Sequence, residues 1–512
     1  MQKKYLKWAK NYHKWPALVI SLFLILFSVS GIIMNHRDLF SGVNIGRKWL
    51  PASYRLDNWN LASVRSQVRL KDGNILIYGN IGIWKTDSAY SQFSDFNSGL
   101  GKGMDRRKVR IVTETPGGSL LAGTMSGLYS YSAEDGRWEK ISTGRRSGRI
   151  QDIVCQGNRV IVLGRSELYV FPDTPALESP ATLRLRAPAG YDNKMSLFRF
   201  AWITHSGEIA GTAGRLFLDL LALLIIFLVI TGLIYFFLPK IMKKRGNSNP
   251  GPAEFRGKNL YLHNKTGAWF LVFLAAIPLT GMFLRPPFLI TIAYSRIPVL
   301  PLMNTGLNNP WEDKFRAVAW SPEKKSFIFS TSDGFFLCDS TLSAEPVRPD
   351  REPPVSVMGI NVLEYSGNGC YVVGSFDGLY SWNPLTGEII DLSGSPHSSP
   401  GRSGRGRPSG NLVSGMLKTG PGTVIFDYDR GAVRSGDAHF PPMPGVITGS
   451  SPMALWNAAQ EIHTGRIYQP FLGPFYILVV PLIALLTILV LITGYLRWRK
   501  LYRGKESSPK LR

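Results

Sequence analysis

Residues His205–Gly211 read HSGEIAG and lead into an apolar run that closes, over Phe227–Lys240, as FLVITGLIYFFLPK. Residues His463–Gln469 read HTGRIYQ and lead into a second run that closes, over Ile488–Lys500, as ILVLITGYLRWRK. The other apolar runs are paired in the same way. One opens NYHKWPALVI (Asn11–Ile20) and closes VSGIIM (Val29–Met34), while the other opens LYLHNKTGAWF (Leu260–Phe270) and closes LTGMFL (Leu279–Leu284). His13 lies 18 residues before Gly31, and His263 lies 18 before Gly281. The chain is therefore duplicated: helix, long segment, helix, then the same again in the same direction. Such a repeat places a pseudo-two-fold axis along the membrane normal.

The four runs, roughly Pro16–Met34, Leu216–Leu238, Gly267–Leu284 and Phe471–Leu496, are each about as long as a helix needs to cross a hydrocarbon core. Asp219 is the one charge that intrudes near the start of a span. Charge gives the orientation. The 512-residue chain carries +24. Residues 1–15 hold +5, 239–262 hold +5 and 497–512 hold +6, together +16 of that excess. Positive charge concentrates on the cytoplasmic side of membrane proteins. The expected layout is a cytoplasmic N-terminus and first span over 1–35, a periplasmic β-rich segment over 36–210 and a span over 211–238. A cytoplasmic loop (239–262), a span (263–285), a second periplasmic segment (286–465), a span (466–496) and a cytoplasmic tail (497–512) follow. The basic residues act as orientation signals, so no nucleic-acid partner is expected. The first run is longer than a signal-peptide core and no A-x-A-like cleavage site follows it, so a retained helix is expected.

Both outer segments repeat a strand-turn-strand phrase: ILIYGNIGIWKT (75–86), LLAGTMSGLYSYSAEDGRW (120–138), VIVLGRSELYVF (160–171), FIFSTSDGFFLCDS (327–340), YVVGSFDGLYSWNPLTGE (371–388) and TVIFDYDRGAVRS (423–435). The turn positions Gly82, Gly127 and Glu167 are 45 and 40 apart, and Gly334, Gly378 and Gly431 are 44 and 53 apart. A period near 40–45 with several strands per unit marks a propeller blade. Neither segment has enough units to close a ring alone. The predicted fold is an α-helical membrane protein of four transmembrane helices with an all-β periplasmic domain, a roughly six-bladed propeller assembled from two insertions. Two half-sheets packed face to face are the alternative. Ser395–Gly410, rich in Ser, Gly, Pro and Arg, is expected to be a mobile basic loop. Cys155, Cys338 and Cys370 allow at most one disulfide.

The chain has seven histidines, and five lie close to a span: His13 and His263 at the cytoplasmic starts of the first and third helices, and His36, His205 and His463 on the outer side. The duplication relates His13 to His263 and His205 to His463, whereas Pro286 stands at the counterpart of His36. Paired imidazoles across an axis are what bis-histidine ligation of haem iron requires. A proton relay or another metal, and purely structural interfacial histidines, stay open on spacing alone. His397 and His439 lack metal-like spacing and are expected at the surface. Each span also carries a Ser/Thr-Gly pair in its second half, ending at Gly31, Gly232, Gly281 and Gly494. Small residues there allow close approach of a helix or a flat cofactor. No G-x-S-x-G, H-E-x-x-H, Walker A or dinucleotide glycine loop accompanies them.

The opening HKW…SG…HRDLF, the HSG…TG and HTG…TG helices and the LHNKTGAW…TG helix resemble the PepSY-associated transmembrane helix family, which includes iron-regulated inner-membrane proteins and ferric-siderophore reductases. The resemblance covers the spans and their flanks, about a third of the chain. It implies a multi-pass protein of the bacterial inner membrane, two b-type haems on His13, His36, His205, His263 and His463, and a quinol or other electron donor. It also implies a periplasmic acceptor, a ferric chelate or a protein. Propeller-like repeats stand where that family commonly has small PepSY domains. A membrane-anchored propeller that binds or senses a periplasmic ligand is the second functional reading. A transporter ranks last, because Asp219 is almost the only charge within a span.

Overall fold

The computed structural model describes the chain except at residues 1, 145–147, 175–176, 178–179, 245–250, 300–302, 304–308, 357, 393–411, 421, 436–439 and 503–512. The basic loop 395–410, His397 and His439 lie outside the described residues. Two compact units are present. The first gathers Met1–Phe40, Asn193–Leu307 and Trp456–Arg512, and the second gathers Ser41–Asp192 and Asn308–Leu455. Residues 36–40, 193–210, 286–299 and 456–465, placed by sequence in the β-rich segments, thus group with the helices.

The helical unit contains α1 (Gln2–Asn35), α2 (Leu197–His205), α3 (Gly211–Lys244), α4 (Gly251–Trp269), α5 (Leu271–Phe283), α6 (Leu455–His463) and α7 (Val479–Tyr502). Among the described residues three stretches are long and apolar enough to cross a membrane as single spans: Leu6–Asn35, Glu208–Met242 and Arg466–Lys500. The third expected span is a broken one. Glu254–Trp269 and Leu271–Phe283 meet at a 65° bend. Gly267 precedes that break, and Pro278 interrupts the hydrogen-bond ladder beyond it. A proline inside a helix removes one N–H and crowds the carbonyl four residues back.

Short α2 and α6 each feed a spanning helix through the same device. His205 and His463 are their last residues. Gly207 (φ +79°) and Gly465 (φ +77°) then take the left-handed conformation that ends a helix. The need for glycine is strict at 207, where a Cβ would lie 2.4 Å from the carbonyl oxygen of Gly214.

The β unit consists chiefly of six antiparallel sheets of three or four strands, three from each segment. Their first strands are β1 (Ser66–Arg69), β2 (Val109–Glu114), β3 (Asp152–Gln156), β4 (Phe315–Ser321), β5 (Ile360–Gly367) and β6 (Val413–Thr419). Consecutive sheets share apolar cores. Leu76 and Ile83 of the first pack with Val112 and Tyr129 of the second, and Leu121 of the second with Val160 of the third. Leu163 packs with Phe327, Ile328 with Tyr371, and Val362 with Met416. Phe426 of the sixth sheet packs with Ile77 of the first. The chain entering the first sheet also lies along the edge of the last. Asn58 donates its side-chain amide to the carbonyls of Arg430 (3.1 Å) and Ala432 (3.2 Å), and its own carbonyl accepts from Ala432 N–H (2.8 Å).

Five tryptophans, Trp59, Trp84, Trp138, Trp311 and Trp382, are fully buried in these wedges. Each indole N–H donates to a backbone carbonyl, those of Pro441, Ile81, Phe96, Arg186 and Arg351. A buried indole delivers its full apolar contribution only when its N–H is satisfied. Cys155, Cys338 and Cys370 are all free thiols.

Candidate functional site

Four of the five span-associated histidines form two pairs. The rings of His13 and His263 stand with centroids 6.1 Å apart, and those of His205 and His463 5.9 Å apart. Each ring rests on the Ser/Thr-Gly pair of a different helix, which gives those pairs the shared role that sequence left open. A Cβ added at Gly494 would lie 2.9 Å from His13, and one at Gly281 2.8 Å from His205. At Gly31 it would lie 3.3 Å from His463, and at Gly232 3.5 Å from His263. The glycines are therefore seats for imidazole rings.

The hydrogen bonds fix which nitrogen faces outward. His13 Nδ1 is 2.9 Å from the carbonyl of Val490, His463 Nδ1 is 3.0 Å from that of Phe27, and His205 Nδ1 is 3.1 Å from that of Ile277. A carbonyl only accepts, so Nδ1 carries the proton in all three. His263 Nδ1 lies 2.9 Å from Thr231 Oγ1, whose own hydrogen goes to the carbonyls of Phe227 (2.7 Å) or Leu228 (3.1 Å). Here too Nδ1 is the donor. Each neutral ring then leaves Nε2 as a lone-pair donor, the tautomer that ligates metals, held in orientation by its other nitrogen. Two imidazoles joined through one metal, with bonds of about 2 Å, stand with ring centroids roughly 6 Å apart. Both pairs match that separation. Among the described residues no three His, Cys, Asp or Glu side chains converge. Two neutral imidazoles with Nε2 lone pairs are the protein donor set that two-histidine ligation of a metal, haem iron included, requires.

His36 belongs to neither pair. Its Nε2 is 2.5 Å from Asp219 Oδ2, and Asn35 Nδ2 donates to Asp219 Oδ1 at 3.1 Å. The one charge near the start of a span is the partner of the histidine that breaks the symmetry. Arg37, the next residue, lies 3.8 Å over the ring of Trp456, whose indole donates to the carbonyl of Met34.

A helical membrane unit with two histidine pairs, joined to a β-rich unit, defines the class: a multi-pass membrane protein built on a duplicated helix pair. The PepSY-associated TM region matches residues 1–238 and 164–500, and the chain belongs to that family. No curated protein matches it. Among solved structures, the chain is similar to the extracellular domain of a putative hybrid two-component system from B. thetaiotaomicron (12% identity, 76% of this chain and 34% of that one, TM-score 0.37). It is also similar to PorZ, a surface component of the type-IX secretion system of Porphyromonas gingivalis (11%, 72% and 37%, 0.33). A third is the computationally designed Ika8 protein (11%, 75% and 91%, 0.31). The chain spans about a third of the length of the first two.

Proposed function

We propose that this protein is a haem-containing electron carrier of the bacterial inner membrane that reduces a periplasmic acceptor, a ferric chelate being the acceptor its family suggests. The observation that carries the reading is the pair of adjacent imidazoles at each end of the bundle, each with Nδ1 hydrogen-bonded and Nε2 left as a lone-pair donor. His13 and His263 would hold one b-type haem and His205 with His463 the other, and haem at such sites supplies one-electron chemistry. The chain's own contribution is to fix the neutral tautomer of every ligand and to seat each ring against a glycine. His13 and Gly31, on one helix, serve opposite pairs 18 residues apart, about 27 Å along an α-helix. The charge distribution supports cytoplasmic termini and a periplasmic β unit. The unbroken succession of shared cores, with the sixth sheet meeting the first, supports a closed six-bladed propeller.

Protein purified from haem-replete cells is expected to show a b-type spectrum that sharpens on dithionite reduction, with two haems per chain. His13→Ala or His263→Ala is expected to remove one, and His205→Ala or His463→Ala the other. A colourless protein sinks the proposal.

A further inference from the structure

The first strands of the second, fourth, fifth and sixth sheets each carry a β-bulge near the start. The register shifts between Val109 and Ile111, Phe315 and Ala317, Ile360 and Val362, and Val413 and Gly415. The residues set into those bulges are Arg110, Arg316, Asn361 and Ser414. In the first and third sheets the equivalent residues are Arg65 and Gln151, whose N–H groups donate to the carbonyls of Tyr78 and Leu163, both at 2.7 Å. None of the six is exposed.

Their side chains meet across sheets. Arg65 donates to the carbonyl (3.3 Å) and side-chain oxygen (3.2 Å) of Asn361, and Asn361 donates to the carbonyl of Val413 (2.9 Å). Arg110 donates to Gln151 Oε1 at 3.3 Å. Asp152, the acid beside them, accepts from the N–H of Val318 (3.0 Å) and from that of Ile153 (3.0 Å). Bulges re-aim side chains and are recurrent at functional places in sheets. The guanidinium groups of Arg65 and Arg110 thus stand with one carboxylate already bonded to the backbone, while that of Arg316 donates to the carbonyls of Asp313 and Phe315 (both 2.8 Å).

That arrangement is unbalanced. Arg110 Nε is buried without a hydrogen-bond partner among the described residues. Burial, and then the charge of Arg65, push the Arg110 guanidinium well below its ordinary range. Guanidinium nonetheless keeps its proton in proteins, so the unmet charge persists and calls for a counter-ion. Forked N–H donors suit planar or tetrahedral oxyanions with several oxygens.

We propose that Arg65 and Arg110, with Gln151 and Asn361, form a binding site for a small multivalent oxyanion, a polycarboxylate or phosphate, in the β unit. The site stands independently of haem in the helical unit. Calorimetric titration of the full-length protein in detergent, with citrate and separately with inorganic phosphate at fixed chloride, tests it. Saturable binding of one anion per chain is expected from at least one probe, and which probe binds more tightly identifies the oxyanion class. Arg110→Gln and Arg65→Gln should weaken it at least tenfold, while Arg137→Gln on an outer strand leaves it unchanged. A second readout separates binding from architecture. Arg110→Met removes a buried unmatched charge, so the anion-free protein should unfold at a higher temperature than the parent while losing the anion response. Absence of binding by both probes, an unaltered affinity in Arg110→Gln, or a lowered unfolding temperature in anion-free Arg110→Met overturns the proposal.

Discussion

A glycine seat is only as useful as the space it leaves. The contacts at Gly281 and Gly494 are closer than those at Gly31 and Gly232. Gly281→Ala and Gly494→Ala are therefore expected to displace His205 and His13 and to lower haem content by at least half. Gly232→Ala should leave it near the parental value, as read from the reduced spectrum per mole of protein. A residue of the β unit gives a pH test. Burial raises the Asp152 carboxyl to about 6, against the opposing pull of Arg110 and Arg65. A folded-state pKa above the unfolded one means the native state binds the proton more tightly. Asp152 therefore contributes stability that is full below about pH 4 and lost as pH rises through about 6. Stability of the parent relative to Asp152→Asn should fall between pH 4 and 7 by roughly 1–2 kcal/mol, measured by denaturant unfolding at each pH. An invariant difference would count against it. The histidine pairs were legible because duplication gives the sequence two copies to compare. Which span each ring sits on was not, because such contacts join residues hundreds of positions apart, as with His463 and Phe27.

At the scale of elements, the join between the chain's entry and the sixth sheet is the most sensitive place in the β unit. Gly431 has φ +81°, and a Cβ there would fall 1.6 Å from the carbonyl oxygen of Asn58. Gly431→Ala is expected to destabilise the β unit by about 3 kcal/mol or more, combining left-handed strain with a backbone clash. Asn58→Ala, which removes two side-chain hydrogen bonds but no backbone one, should lose about 1–2 kcal/mol. Urea unfolding followed by tryptophan fluorescence reports both. The six sheets were readable from their turn phrases. The bulge residues had a signal that went unread: Arg65, Arg110, Gln151, Arg316, Asn361 and Ser414 stand 16 to 18 positions before the corresponding turn residues. Their varied chemistry conceals the repeat, since only three of the six are arginine. The bend at Phe270 was equally hidden, because apolar composition measures the length of a span and is blind to its straightness.

For the whole molecule, the free thiols test orientation without engineered probes. Cys338 is buried and its thiol is pushed up to about 12 by burial, whereas Cys370 is part-exposed. A membrane-impermeant maleimide added to intact spheroplasts is expected to label Cys370 and spare Cys338. Labelling only after the membrane is opened would place the β unit on the other side.

The seats are also exchanged between helices. His13, on α1, sits at Gly494 of α7, while His463, just ahead of α7, sits at Gly31 of α1. His205, just ahead of α3, sits at Gly281 of α5, while His263, on α4, sits at Gly232 of α3. The His13–His263 pair therefore draws on all four spans, and the His205–His463 pair on two spans and on the short helices that lead into the other two. During synthesis the His205–His463 pair cannot be assembled until His463 has emerged, nor the His13–His263 pair until Gly494 has. Loading of whatever the histidines hold is consequently a late event. A half-length ancestor with one copy of each motif could have built the same seats only by meeting a second copy of itself.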